Sequence, residues 1–296
     1  MKQIWTIVAK EFNDRLRSGW VIACTLVWLG AIALTSLFGL VQIGHIGLQG
    51  YDRTVVSLLN LVQYLVPLLG LLLGHDLLVS EREDRTLALM LATGVTRARA
   101  LAGKFIGGCF TLAFPLALGF VISGTAIGLS AKDKAIGSFF TLAISGLLLG
   151  VIFLGLGLLI STLCRTRVQA LVCALLTWCV AVFAFDLVAM GVVVATHSAQ
   201  AARQIEESTD ATHVTSIADM HKAFKSGDEA AARVIADRSQ KVAMWLALNP
   251  VDLFRAVNLP KEANVTVPLA LEVFSIAAWL LIALGCASWK LHRIDL

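Results

Sequence analysis

The chain has 296 residues, of which 58% are hydrophobic and only 15% charged, with a mean hydropathy of +0.81. These values fall outside the range of soluble domains, so the bilayer is the solvent in which the chain folds. The net charge of +4 gives no indication of nucleic acid, because the basic residues flank long apolar runs instead of forming one patch.

Residues 2–17 place Ile4, Val8, Phe12 and Leu16 at four-residue spacing, with Lys2, Lys10, Asp14 and Arg17 elsewhere. That pattern predicts an amphipathic helix lying in the membrane interface over about residues 1–19. A membrane-crossing helix needs about 20 mostly apolar residues. Runs of that kind occur at about Trp20–Val41, Val55–Leu78, Phe105–Leu129, Phe139–Leu163, Val168–Val194 and Pro268–Trp289. The first is too long for a signal peptide and lacks a small-residue cleavage site, so it is expected to stay in the mature protein. The expected fold is all-α: a single polytopic transmembrane domain over 1–296 with six transmembrane helices, the interfacial helix before them, and a helical external segment at about 196–264 between helices 5 and 6.

An even number of spans puts both termini on one side. Lys2, Lys10, Arg15, Arg17, Arg82, Arg85, Arg97, Arg99, Lys104, Arg165, Arg167, Lys290 and Arg293 share that side, against Arg53, Lys132 and Lys134 in the short loops opposite. By the positive-inside rule both termini are expected to be cytoplasmic in a multi-pass inner-membrane protein. In the long external segment, Ser226 and Glu229 have capping-box spacing for a helix through Val234, Ile235, Val242 and Trp245, which Asn249-Pro250 would break. The six cysteines all lie in or at the ends of apolar runs, which implies no disulfide framework.

The connection after the second run, Ser80–Gly94, predicts a short cytoplasmic docking helix. Ser80 and Glu83 have capping-box spacing and Gly94 suits a helix C-cap. Glu81 and Arg85 stand one turn apart, so a charged turn can face a partner while Leu87, Met90 and Leu91 anchor the helix. Nucleotide-binding and catalytic motifs are missing. Gly103-Lys104 is followed by Phe105 and has no glycine five residues before it, so no phosphate-cradling loop is present, and HExxH, CxxC and GxSxG are absent. The chain is expected to be non-enzymatic, with no cofactor of its own. External His197, His213, Met220 and His221 have no spacing that defines a metal site.

Acids inside a membrane cost several kcal/mol unless paired, protonated or wet, so Asp186 and Glu272 are candidates for an external vestibule. Asp186 sits either on a pathway or at the wet interface, depending on whether the fifth run ends near Phe185. Asn60 and Gln63, with Pro67, either line a pathway or make a polar contact or kink within the bundle.

The interfacial amino-terminal helix, Asp76, the Glu81-Arg82-Glu83 and Thr86-Leu87 stretch, Thr96-Arg97 and Gly103-Lys104-Phe105 together resemble the ABC-2 permease family over the whole chain. More narrowly, Phe185-Asp186-Leu187-Val188 and Asn249–Leu259 resemble Nos-type permeases, which serve maturation of the copper enzyme nitrous oxide reductase. The resemblance implies a permease working as two copies of itself in membrane lipid. Each copy would dock a cytoplasmic ABC ATPase that carries ATP and Mg, through Glu81, Arg82, Glu83, Arg85, Thr86, Leu87, Met90 and Leu91. The Nos-type likeness adds a periplasmic copper-related partner. Composition alone equally admits an ATP-independent secondary transporter or channel, or a membrane scaffold for a periplasmic enzyme.

Overall fold

Two helices that touch backbone to backbone form the axis of the bundle. In the computed structural model, which describes residues 2–40, 50–92, 94–128, 136–184, 249–258 and 269–293, these are α3 (Gly50–Gly74) and α7 (Ile136–Leu163). A Cβ on Gly70 would stand 2.6 Å from the Gly150 carbonyl oxygen, and one on Gly74 would stand 2.5 Å from the Leu154 carbonyl oxygen. Gly70-x-x-x-Gly74 therefore gives the close approach that membrane helices need, since lipid tails supply no hydrophobic drive for association.

The other helices in chain order are α1 (Lys2–Leu16), α2 (Gly19–Leu40), α4 (Val79–Glu83), α5 (Thr86–Ala92), α6 (Arg97–Gly128), α8 (Arg167–Cys179), α9 (Pro250–Asn258) and α10 (Leu269–His292). The described residues contain no strand, as an all-α fold requires. Between α1 and α2 the chain bends by 70°. Ser18 fixes the restart, its Oγ accepting the Val21 N–H at 3.3 Å as an N-cap. α1 packs along α6, with Ile7 against Gly103 and the Glu11 stem against Gly107. α2 buries Trp28 and Ile32 against Gly119 of α6.

Among the described residues four helices are long and apolar enough to cross a membrane, or five if bent α1 and α2 make one span. They match the second, third, fourth and sixth predicted runs, and α2 covers the first. The fifth run is described from Val168 to Ala184, and the rest of it lies outside the described residues. The chain divides into two units. One comprises residues 1–179 and 250–296; the other, 180–249, is described at a π-helical turn, Val180–Ala184, and at Asn249, whose Nδ2 donates to the Ala181 carbonyl at 2.9 Å. The predicted helix from Ser226 to Trp245 lies outside the described residues.

Pro250 occupies the first turn of α9, where its missing N–H is no loss, and the helix that Asn249-Pro250 is expected to end lies outside the described residues. α9, assigned from sequence to the external segment, packs on α7, α10 and α3 and buries Val251, Leu253 and Phe254.

Candidate functional site

The Ser80–Gly94 stretch forms an elbow of two short helices instead of one. The chain turns at residues 75–78 before entering α4, and its first free N–H groups are satisfied from outside. Both Leu78 and Val79 donate to Ser161 Oγ of α7 at 2.9 Å. Leu78 holds the N-cap position, and the Ser80 hydroxyl donates back to the Asp76 carbonyl at 2.6 Å. The expected Ser80–Glu83 capping box therefore does not form. Arg167 takes Glu83 instead, its backbone N–H donating to Oε1 at 2.9 Å and its Nε lying 3.0 Å from Oε2.

α4 stops at Asp84-Arg85. Arg85 has φ +56°, a left-handed conformation that costs a non-glycine residue about 1–2 kcal/mol. Asp84 is held by Arg167 Nη2 at 2.5 Å, and Arg82 Nη1 donates to the Cys164 carbonyl at 3.0 Å. Two arginines thus fasten the elbow to the α7–α8 connection, while the strained residue turns the chain into α5. Gly94, at φ +83°, has the left-handed conformation a C-cap glycine is chosen for.

Beneath the elbow lies a buried ion chain. Lys104, seven residues into α6, has a side chain only 2% exposed. Its Nζ sits 2.9 Å from Glu81 Oε1 of α4 and 3.0 Å from Glu11 Oε2 of α1. Glu11 also accepts from Arg15 Nε at 2.5 Å, and Arg15 Nη1 donates to the Leu73 carbonyl near the end of α3 at 3.1 Å. Burial pushes the Glu11 carboxyl upward, but Lys104 and Arg15 outweigh it and hold its pKa below the ordinary carboxylate value. Removing one member of a buried pair costs about 3–5 kcal/mol, because the partner charge is left without compensation.

The coupling residues named from sequence thus separate into two sets. Glu81, Arg82 and Glu83 are turned to the protein by Lys104, Cys164 and Arg167. Arg85 and Thr86 are exposed, and beside them stand exposed Ala88 and Leu89, which sequence reasoning did not name among the coupling residues; Leu89, at 70%, is a large apolar side chain on an outward face. Met90 is half-buried, and the side chains of Leu87 and Leu91 lie outside the described residues.

A second polar set sits farther along α3. Gln63, 1% exposed, lies about 20 Å from the Gly50 end of its helix. Its Oε1 accepts from Arg255 Nε of α9 at 3.0 Å, and Arg255 Nη1 is 4.0 Å from buried Asp252. Asn258 Nδ2 donates to Ser145 Oγ of α7 at 2.8 Å. Gln63 therefore has a bundle contact, whereas Asn60 is exposed. Glu272 lies in α10 with its side chain outside the described residues, and Asp186 is outside them altogether.

Sequence reasoning singled out neither Lys104, Glu11 and Arg167 nor the Asp252–Arg255 pair as site residues. Lys104 left a signal: it is the last charge before the uncharged remainder of α6, and a lysine so placed needs a partner.

The sequence pattern described as ABC-2 family transporter protein matches residues 5–296. The chain belongs to the ABC-2 transporter family. Among ABC-2 relatives, a protein of Pseudomonas aeruginosa named probable ABC transporter permease protein NosY is 32% identical over 295 residues, covering 96% of this chain and 94% of the relative. One of the same name from Stutzerimonas stutzeri is 33% identical over 198 residues, covering 66% of this chain and 72% of the relative. As an ABC-2 permease the chain is the membrane component of its transporter, and the family implies an ABC ATPase as partner.

Proposed function

We propose that the α4–α5 elbow is the surface on which a separate cytoplasmic ATPase docks, and that the permease turns ATP-driven motion into transport or mechanical work across a bacterial inner membrane. The observation that carries this is the elbow's two-sidedness: one side is fastened by Ser161, Arg82, Arg167 and Lys104, the other presents Arg85, Thr86 and Leu89. A lever must be rigidly mounted and outwardly accessible, and the elbow is both. ATP and Mg belong to the partner. The permease works as two copies with both termini cytoplasmic. Its role is in maturing the copper sites of nitrous oxide reductase, with a periplasmic copper-related protein on the outer face. The likeness of Asn249–Leu259 to Nos-type permeases and the NosY names of the two relatives support that assignment.

Gentle detergent purification of the tagged chain from its native cell, with mass spectrometry of what accompanies it, tests the proposal. An ATPase with a Walker A loop is expected at one copy per permease, and Leu89→Glu or Arg85→Glu should reduce its recovery at least tenfold while leaving the permease in the membrane. Recovery of the permease without an ATPase, or equal recovery with both variants, would overturn the docking assignment.

A further inference from the structure

We propose that Lys104 is the positioning residue that makes the interfacial helix α1 and the elbow move as one body. This rests on the elbow being the ATPase dock. The ammonium is shared between Glu81, two residues into α4, and Glu11, in the third turn of α1, with Nζ–O distances of 2.9 Å and 3.0 Å. Three elements distant in sequence thus meet at one buried charge.

The bonding around that charge gives it little slack. The second oxygen of Glu81, Oε2, is buried and makes no hydrogen bond, so the Glu81 carboxylate is held through Lys104 alone. Glu11 is held from its other side by Arg15, which is itself tied to the Leu73 carbonyl where α3 runs toward the elbow. Lys104 cannot follow Glu81 away from Glu11, because its backbone is part of α6 and Gly103 and Gly107 of that helix are packed against Ile7 and the Glu11 stem of α1. If the elbow moved alone, the Glu81 carboxylate would lose its one partner and the buried ammonium would lose one of its two. If α1 and α6 moved with it, both ion contacts of Lys104 would persist. The second course is the one the geometry favours, and it sends the motion of a docked ATPase to the first helix of the chain as well as to α3 and α7.

The test is a distance. In the complete complex, with native cysteines replaced, spin labels at Lys10→Cys on α1 and Ala88→Cys on α5 report the separation by pulsed electron paramagnetic resonance in nucleotide-free and ATP-trapped states. With Lys104 present the mean separation should be the same in both states. Lys104→Met should make it change between them while the ATPase stays bound and hydrolyses ATP. Glu81→Gln, which keeps the shape of the side chain, should do the same and serves if Lys104→Met does not assemble. A separation that changes with nucleotide in the unaltered pair of elements, or one that stays constant in Glu81→Gln, would overturn the proposal. Failure of the dock itself reads differently: the ATPase would then be retained by Leu89→Glu, whatever the labels report.

Discussion

Glu11 is an acid in a helix that a sequence pattern assigns to the interface, yet it accepts from both Lys104 and Arg15 in a site 13% exposed. Its pKa is held below the ordinary carboxylate value, so the carboxylate form is the one the fold binds. A group depressed in this way contributes stability that is complete above its unfolded pKa and is lost as pH falls through its folded one. Thermal unfolding of the purified protein should therefore show Glu11→Gln less stable than wild type at pH 7, by about 3 kcal/mol. That gap should begin to close below about pH 4.3, the ordinary glutamate value, and should go on narrowing as the pH falls further. A gap that is constant from pH 7 to pH 3 would mean that Glu11 contributes through its stem against Gly107 and not through its charge. The sequence showed that Lys104 and Glu11 were charged and near apolar runs. It could not show that they were neighbours, because 93 positions separate them and only the packing of α1 along α6 brings them together.

At the level of elements, the apolar runs were legible because each is long and carries at most one acid, and helices stand over the described part of each. The elbow was legible in place and not in form. Ser80-x-x-Glu83 has the spacing of a local cap, but Ser161 satisfies the N–H groups and Arg167 takes the acid, both from about 80 positions away. A tertiary bond displaced a local one. Asn249-Pro250 is ambiguous for a simpler reason: proline ends one helix and begins the next with equal ease, and only the packing of α9 on α7 decides. The contact between α3 and α7 shows the same limit, since Gly70 and Gly74 need the facing carbonyls to be meaningful. Gly74→Val should place a side chain into the Leu154 carbonyl, which a Cβ alone would approach to 2.5 Å. Overpacking of this kind costs about 1–3 kcal/mol. Gly285→Val on α10, where a Cβ meets nothing within 4 Å, is the matched control and should unfold close to wild type in detergent. Equal stability of the two variants would remove α3–α7 contact as the axis on which the elbow is mounted.

For the whole molecule, the distribution of polar groups along the bundle decides which way it can work. One end gathers the elbow, Arg82, Arg167 and the Lys104 chain, together with Arg97, whose Nη1 donates to the carbonyls of Leu291 at 3.0 Å and His292 at 2.7 Å and so closes the end of α10. Farther along α3, Arg255 and Asn258 fasten α9 to Gln63 and Ser145. ATP is available on one side of the membrane only, so the elbow can be a dock only if its end is cytoplasmic. The excess of lysine and arginine at that end argues for the same orientation by an independent route, because cationic loops resist translocation. Single cysteines on a background lacking the native six should settle it. Ala88→Cys on α5 should react with a membrane-impermeant maleimide in inside-out vesicles and be protected in intact spheroplasts. Ser130→Cys, in the connection between α6 and α7, should show the reverse. If Ala88→Cys were labelled from outside, the elbow would have no access to an ATPase, and the buried chain through Lys104 would be a fastening of the fold with no motion to transmit.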